Sequence, residues 1–144
     1  MPVAESILPK IYSIFNEYKN SKDEDTFTNT YRKEIKIIVD TLFEQIIESI
    51  LDEKPRNALN ARLAINKTDL SAYSSSDRKL LNSLKNVLVE YDGLNSKEYI
   101  DHSESLIDFV SNELYALSIA LINHEKLSQC DNAKSLKKLL DRIF

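Results

Sequence analysis

Apolar residues recur every three or four positions in four stretches of the first two-thirds of the chain. Because an α-helix has about 3.6 residues per turn, this spacing gathers the apolar residues on one face of each stretch. The pattern predicts amphipathic helices over residues 6–18, 28–51, 55–68 and 74–92. The second has an apolar face wider than one seam, which indicates burial on more than one side. The polar segment 20–26 has no apolar anchor and is predicted to be a loop.

Proline, glycine and capping residues predict where these helices begin and end. Pro9 and Pro55 each fit the first turn of a helix, where the missing N–H would have no helical partner. Ser74 and Asp77 resemble a capping box that begins the fourth helix. Gly93 follows the last apolar residues of that helix, in the position where a left-handed C-cap needs no side chain.

The pattern beyond residue 104 fits two kinds of structure. Residues 106–110 and 114–122 contain β-branched and aromatic residues and are separated by the turn-like segment 111–113, which is typical of short strands. A second turn is expected at 123–125. The same apolar residues also satisfy helical spacing, and propensity favours the helix slightly.

The expected fold is mainly α, with an N-terminal amphipathic helical bundle and a small C-terminal module. The predicted divisions are a helical domain at 1–94, a linker at 95–104 and a small domain at 105–144. The small domain is predicted to be either β-rich or helical, and in the second case the chain is all-α throughout. Its last helix is predicted to follow an N-cap at Asp131 or Asn132.

Composition narrows the class of protein. The chain has 144 residues, 42% hydrophobic and 29% charged, which is the chemistry of one folded domain and not that of a disordered segment. Its net charge is −4 and its pI about 5.2, so strong direct binding to nucleic acid is not expected. A single glycine excludes glycine-rich phosphate-binding loops.

Cysteine content and the N-terminal sequence indicate the cellular compartment in which the protein is expected. Cys130 is the only cysteine and cannot form an internal disulfide, which favours a reducing environment. The N-terminal region contains no apolar run of the length of a signal peptide or membrane span. We therefore expect a cytoplasmic protein with no membrane association.

Residues that could carry catalysis do not form a recognisable set. His102 and His124 lie far apart in sequence and neither belongs to a metal-binding motif. His102 lies among acidic residues that are expected to be solvated, and Cys130 has only Lys126 and Lys134 nearby to lower its thiol pKa. We therefore predict no catalytic, cofactor-binding or metal-binding residue, and a protein that is not an enzyme.

Two groups of charged residues have alternative interpretations. Arg62 interrupts an apolar stretch, where it either braces helices or anchors a subunit interface. Basic residues are concentrated on the last helix, where they either meet a negative surface or form a solvated face. The acidic run 23–25 is expected to solvate a loop. The residues predicted to serve an interface or to brace the fold are Tyr31, Ile35, Arg62, Leu81, Leu84, Leu88, Lys134 and Lys138.

Several short segments, taken in chain order, resemble the GINS family. The helical segments are Thr26–Tyr31 followed by Arg32–Leu42, then Arg62–Ile65, Asp69–Ser71 and Asp77–Leu84. The segments near the end are Asp108–Val110, Tyr115–Leu117 and Asp131–Leu136. The chain is similar to the archaeal subunit type, in which a helical domain precedes a small β-rich domain. It departs from that family in having no glycine or proline in residues 105–144.

The resemblance implies a structural subunit without catalytic activity in a DNA replication complex. Its partners would be another GINS-type subunit, the MCM helicase and a RecJ-like protein, which it would join as a scaffold. The wide apolar faces predicted at 31–47 and 80–91 fit an oligomer, since such faces need to be covered. The alternative is a self-contained helical regulatory or immunity-type protein that binds and blocks one protein target. A small helical nuclease or hydrolase is a third hypothesis.

Overall fold

Helices account for most of the positions in the computed structural model, which describes residues 3–21, 24–51, 58–94 and 107–144. No strand occurs in these ranges. A short 3₁₀ turn, Leu70–Ala72, precedes the fourth helix. The helices are α1 (Val3–Asn20), α2 (Glu24–Leu51), α3 (Ala58–Lys67), α4 (Ser75–Leu94), α5 (a π-helical segment Phe109–Leu114 continued by an α-helical segment Tyr115–Ile122) and α6 (Asp131–Ile143).

The four helices predicted in the first two-thirds of the chain are confirmed, with different ends. Helix α1 begins at Val3, so Pro9 lies inside the helix and not in its first turn. At that position proline cannot donate to the carbonyl one turn earlier. Helix α2 begins at Glu24, so the loop predicted at 20–26 is shorter than expected. Pro55 lies outside the described residues.

The beginning of α4 was predicted correctly and its end was not. Ser74 Oγ accepts a hydrogen bond from the Asp77 backbone N–H at 3.1 Å, which is the capping interaction expected from the sequence. Gly93 does not follow the helix as a C-cap, because the helix continues to Leu94. The helix therefore continues past Gly93, although glycine is the residue that can adopt a left-handed C-cap without steric cost.

Of the two structures predicted for the C-terminal module, the β-rich one is wrong and the all-α alternative is confirmed for residues 107–144. Residues 109–122 are helical because Phe109, Val110, Leu114 and Leu117 all reach the core from one continuous helix. The segment 111–113, predicted to be a turn, lies in the π-helical part.

Two further boundaries in this region differ from expectation. Cys130 occupies the N-cap of α6 in place of Asp131 or Asn132, and its side chain makes no capping hydrogen bond. The turn predicted at 123–125 is confirmed and continues to residue 129. The predicted linker at 95–104 lies outside the described residues.

One hydrophobic cluster contains side chains from all six described helices. Helix α1 packs against α2 and α6, α4 packs against α2, α3 and α5, and α5 packs against α6. Phe15 and Phe27 are among its largest fully buried side chains, and complete burial of such a residue contributes about 1.5–3 kcal/mol. The cluster thus joins residues of the predicted helical domain to residues of the predicted small domain. None of the described helices combines the length and the apolar character that a bilayer crossing requires.

Candidate functional site

Two hydrogen bonds join the first turn of α4 to the turn that follows α5. His124 Nε2 lies 2.7 Å from Asp77 Oδ1, across 47 residues of sequence. Beside this contact, the Glu125 backbone N–H donates to Ser76 Oγ at 2.9 Å. We call these two contacts the His124 latch. Because Asp77 also stands at the capped N-terminus of α4, one carboxylate serves the helix end and the tertiary contact together.

Both ring nitrogens of His124 are engaged by the protein. The Lys126 backbone N–H donates to Nδ1 at 3.4 Å, which assigns the ring proton to Nε2 and directs it to Asp77. His124 is 8% exposed. Both ring nitrogens therefore make contacts within the protein, and these contacts hold the turn after α5 against α4.

A groove of about 720 Å³ lies next to the latch, between α4 and α5. Small and polar side chains line it, including Ser75, Asn82, Ser83, Ala116 and Ala120. In the described part of the chain, no group of histidine, cysteine and acidic residues is arranged to hold a metal ion. The groove therefore offers mainly hydroxyl and amide groups that can donate and accept hydrogen bonds.

Glu113 is the acidic residue of the π-helical segment Phe109–Leu114 of α5. Partial burial raises the pKa of the Glu113 carboxyl, and the charge of Glu90 on α4 raises it further. The two carboxylates therefore oppose each other where these two helices pack.

An aromatic cluster surrounds Phe144, the residue that follows α6. Phe144 stacks on Tyr18 with ring centroids 5.9 Å apart and planes at 8°, and it meets Phe15 edge-on at 5.8 Å. The Tyr115 ring lies 4.4 Å from it. These contacts fasten the end of α6 to α1 and α5, although Phe144 itself stays 47% exposed.

Tyr31 extends the aromatic contacts onto α2. Its ring lies 5.1 Å from that of Phe27, which in turn meets Tyr18 at 5.5 Å. A hydrogen bond from the phenol to the Glu17 side chain raises the pKa of Tyr31, and burial with the charges of Glu17 and Glu34 adds to the effect. This contact joins α2 to α1, so Tyr31 braces two helices.

A cleft of about 420 Å³ lies beside the aromatic cluster. Its described walls include the apolar side chains of Tyr18, Phe27 and Ile143. Two cations, Lys19 from the last turn of α1 and Arg142 from the last turn of α6, also line it. We call this the aromatic cleft. Each cation stands near the negative end of its helix dipole, which stabilises it there.

The outer face of α6 carries a straight row of cations. Lys134, Lys138 and Arg142 are four residues apart, so they lie along one side of the helix over about 12 Å. We call these three residues the basic row. The row is opposite the buried residues Leu136 and Leu140, and all three of its side chains are exposed.

The basic row has no ion-pair partner among the described residues. Lys137 stands beside the row, and it too is exposed and unpaired within the described part of the chain. Asp131 and Asp141 are on the same helix and form no salt bridge with it. The face can therefore meet an external anion without first breaking an internal pair.

The residues singled out from sequence lie in two environments. Ile35, Leu81, Leu84 and Leu88 are at most 2% exposed and belong to the common core. As placed, they brace the helices from within and present no surface to a partner. Tyr31 is half-buried, and Lys134 and Lys138 are exposed.

Other residues considered in the sequence are described only in part. Arg62 lies on α3, but its side chain is outside the described residues, as is all of His102. In the acidic run 23–25, only the helical backbone of residues 24 and 25 is described. Cys130 is a free, half-buried thiol.

Sequence reasoning missed the His124 latch and the aromatic cleft. Asp77 belongs to the predicted capping box, but no local sequence signal connects Asp77 to His124. The residues of the cleft come from α1, α2, α6 and the segment before α5, so only the tertiary fold brings them together.

No protein-family model matches the chain, and no curated protein or solved structure matches it significantly.

Proposed function

We propose that this chain is a non-catalytic, self-contained helical protein that regulates one protein target by binding it through the outer face of α6. The observation that carries the proposal is the basic row, Lys134, Lys138 and Arg142, which is exposed and unpaired among the described residues. On a chain of net charge −4, a local concentration of cations attracts and orients a partner of opposite charge.

The burial of the apolar faces favours a regulator over a permanently assembled subunit. The apolar residues of α2 and α4, including Ile35, Leu81 and Leu88, pack in the chain's own core. Obligate interfaces are usually large and hydrophobic, whereas reversible ones rely more on charge. The large apolar side chains that stay exposed among the described residues are Ile37, Leu63, Val89 and Phe144.

The second candidate is the GINS-like scaffold that joins the MCM helicase to its partners. It is supported by the order of the helices α1 to α4, which is the order expected from the resemblance. It is weakened by α5, since the resemblance implies strands where that helix lies, whereas α6 agrees with the closing helix that the resemblance implies. The scaffold therefore stays an alternative, with assembly into an oligomer as its distinguishing expectation.

Cross-linking in the source cells tests the proposed function. A tagged chain is cross-linked, its partners are purified, and the cross-linked lysines are mapped by mass spectrometry. The double variant Lys134→Glu/Lys138→Glu is compared with Lys33→Glu/Lys36→Glu, which reverses two exposed lysines of α2.

We expect one main target, cross-linked through Lys137, which both variants keep, and recovered in a smaller amount only with the α6 variant. Cross-links confined to α2, α3 or α4, with equal recovery by both variants, would contradict α6 as the binding face. Recovery of several replication subunits in one assembly would support the scaffold.

A further inference from the structure

We propose that the target presents an acidic segment with one aromatic side chain, whose carboxylates contact the basic row while the aromatic side chain enters the aromatic cleft. This inference rests on the proposed function, because it assigns a chemical class to the partner of the same α6 face. It adds a second contact region, the aromatic cleft, that the proposed function does not require.

The spacing of the basic row sets the spacing of the carboxylates. Successive cations are four residues apart on one helix, which places them about 6 Å apart along the axis. Acidic side chains four residues apart on a second helix repeat at the same interval. Such a helix beside α6 can pair one carboxylate with each of Lys134, Lys138 and Arg142 in a single register.

Arg142 connects the basic row to the aromatic cleft. It is the last cation of the row, and it also lines the cleft with Lys19. A segment that follows the row toward the end of α6 therefore arrives at the apolar walls formed by Tyr18 and Ile143. The row and the cleft form one continuous surface, with charge along its length and an apolar site at its end.

The chemistry of the cleft favours an aromatic residue flanked by acids. Its volume of about 420 Å³ is within the range of sites that hold small organic groups. An aromatic ring there can contact Tyr18 and Ile143, while carboxylates beside the ring meet Lys19 and Arg142. An acidic segment without such a residue would use the row and leave the apolar walls uncovered.

The overall charge favours an acidic protein segment over a nucleic acid. A net charge of −4 repels a long polyanion, whose phosphates extend well beyond the single helix that carries the row. A short acidic segment matches the length of α6 and brings its few charges only to that face. Binding of an oligonucleotide is therefore the rival outcome in the test.

Fluorescence anisotropy with the intact chain tests the inference. The probe is a labelled synthetic helical peptide with glutamate at every fourth position and one phenylalanine at the end of that row. Three further probes replace the phenylalanine with alanine, replace the glutamates with lysines, or consist of a labelled oligothymidine. The protein variants are Lys138→Glu/Arg142→Glu and Lys19→Glu, with Lys85→Glu, an exposed residue of α4, as the matched control.

The acidic aromatic peptide should bind the intact chain and the Lys85→Glu control equally. We expect binding to weaken about tenfold in Lys138→Glu/Arg142→Glu, since two favourable charge pairs become repulsive. Replacing the phenylalanine should weaken binding to the intact chain by about tenfold as well. Lys19→Glu should weaken it less, and the lysine peptide should not bind. Circular dichroism establishes that each variant is folded.

Equal binding of the phenylalanine and alanine peptides would overturn the role of the cleft. Tighter binding of oligothymidine than of the acidic peptide would overturn the acidic protein segment. If cellular cross-links stay on α6 while no acidic peptide binds, this inference fails and the proposed function stands. If the cross-links lie elsewhere, the proposed function fails as well.

Discussion

At the scale of single residues, His124 connects two parts of the chain that are distant in sequence. Its imidazole contacts Asp77 on α4 and accepts the Lys126 backbone N–H, so one buried ring holds a turn against a helix. A polar group in such a position stabilises the fold because its hydrogen bonds are made, and it is costly when one partner is removed. His124 is therefore expected to contribute to the stability of the fold.

A double-mutant cycle tests the His124 latch. His124→Ala should lower the free energy of unfolding by about 1–3 kcal/mol, because it leaves the Asp77 carboxylate without its partner. Asp77→Ala should also destabilise, and the double variant should lose less than the sum of the two by at least about 0.5 kcal/mol. Urea unfolding measures all three, with the exposed neighbour Asn123→Ala as control. Strict additivity would show that the two side chains are not coupled.

Glu113 provides a prediction about pH. Burial and the charge of Glu90 raise the pKa of Glu113, so its ionisation is less favourable in the folded chain than in the unfolded chain. The stability linked to the protonated carboxyl is complete below the unfolded pKa of about 4 and is lost as the pH rises through the folded pKa.

Glu113→Gln should therefore stabilise the protein at neutral pH and have little effect in acid. Because the side chain is partly solvated, screening keeps the expected gain to about 0.5 kcal/mol. Urea unfolding across the acid range measures it, with the exposed Glu44→Gln as the control that should stay flat. A gain that is largest at low pH would contradict the direction of the pKa shift.

At the scale of elements, α6 is held by its apolar face and by the aromatic contacts of the residue that follows it. Leu136, Leu139 and Leu140 are buried, and Phe144 lies against rings from α1 and α5. This anchoring leaves the opposite face, with the basic row, exposed on a fixed helix. A rigid helix is a better support for a set of charges than a loop, because less conformational entropy is lost on binding.

Phe144 and Val89 form a matched pair for testing the anchoring of α6. They are 47% and 46% exposed, so exposure alone predicts similar effects of replacement with alanine. Phe144→Ala should nevertheless lower the free energy of unfolding by about 1–2 kcal/mol, since its ring contacts three others. Val89→Ala should cost about 0.5 kcal/mol or less. Equal losses would show that the aromatic contacts contribute little.

The helices α1 to α4 and the basic row could be predicted because both depend on local spacing. The apolar repeat predicts which residues of α2 and α4 face the core, and the interval of four from Lys134 to Lys138 predicts a shared face. The error in residues 106–122 arose because β-branched residues and a polar Ser111–Glu113 segment favour strands locally. Burial of both apolar groups on one side of α5 outweighed that preference.

The features that could not be predicted depend on contacts between distant segments. The Asp77–His124 contact spans 47 residues, and neither residue carries a sequence signal for the other. The aromatic cleft similarly combines Tyr18, Phe27 and Arg142 from three helices. Local patterns predict which face of each helix is apolar. Which of these faces contact each other depends on tertiary packing, which no local pattern determines.

At the scale of the whole molecule, the continuous core predicts that the isolated chain is stable and monomeric. Most of the described apolar residues of α2 and α4, for which the sequence predicts a partner, pack in the chain's own core. Light scattering after size-exclusion chromatography should therefore give a mass near 16.6 kDa. Self-association into a defined oligomer would favour the scaffold over the self-contained regulator.

The central claim is that the chain binds a protein target through the basic row. The most direct measurement is the dissociation constant of the purified cellular target for the intact chain and for Lys134→Glu/Lys138→Glu, by isothermal titration calorimetry. We predict that the α6 variant binds at least about tenfold more weakly, while Lys33→Glu/Lys36→Glu binds as the intact chain does. Equal dissociation constants for all three proteins would contradict the claim.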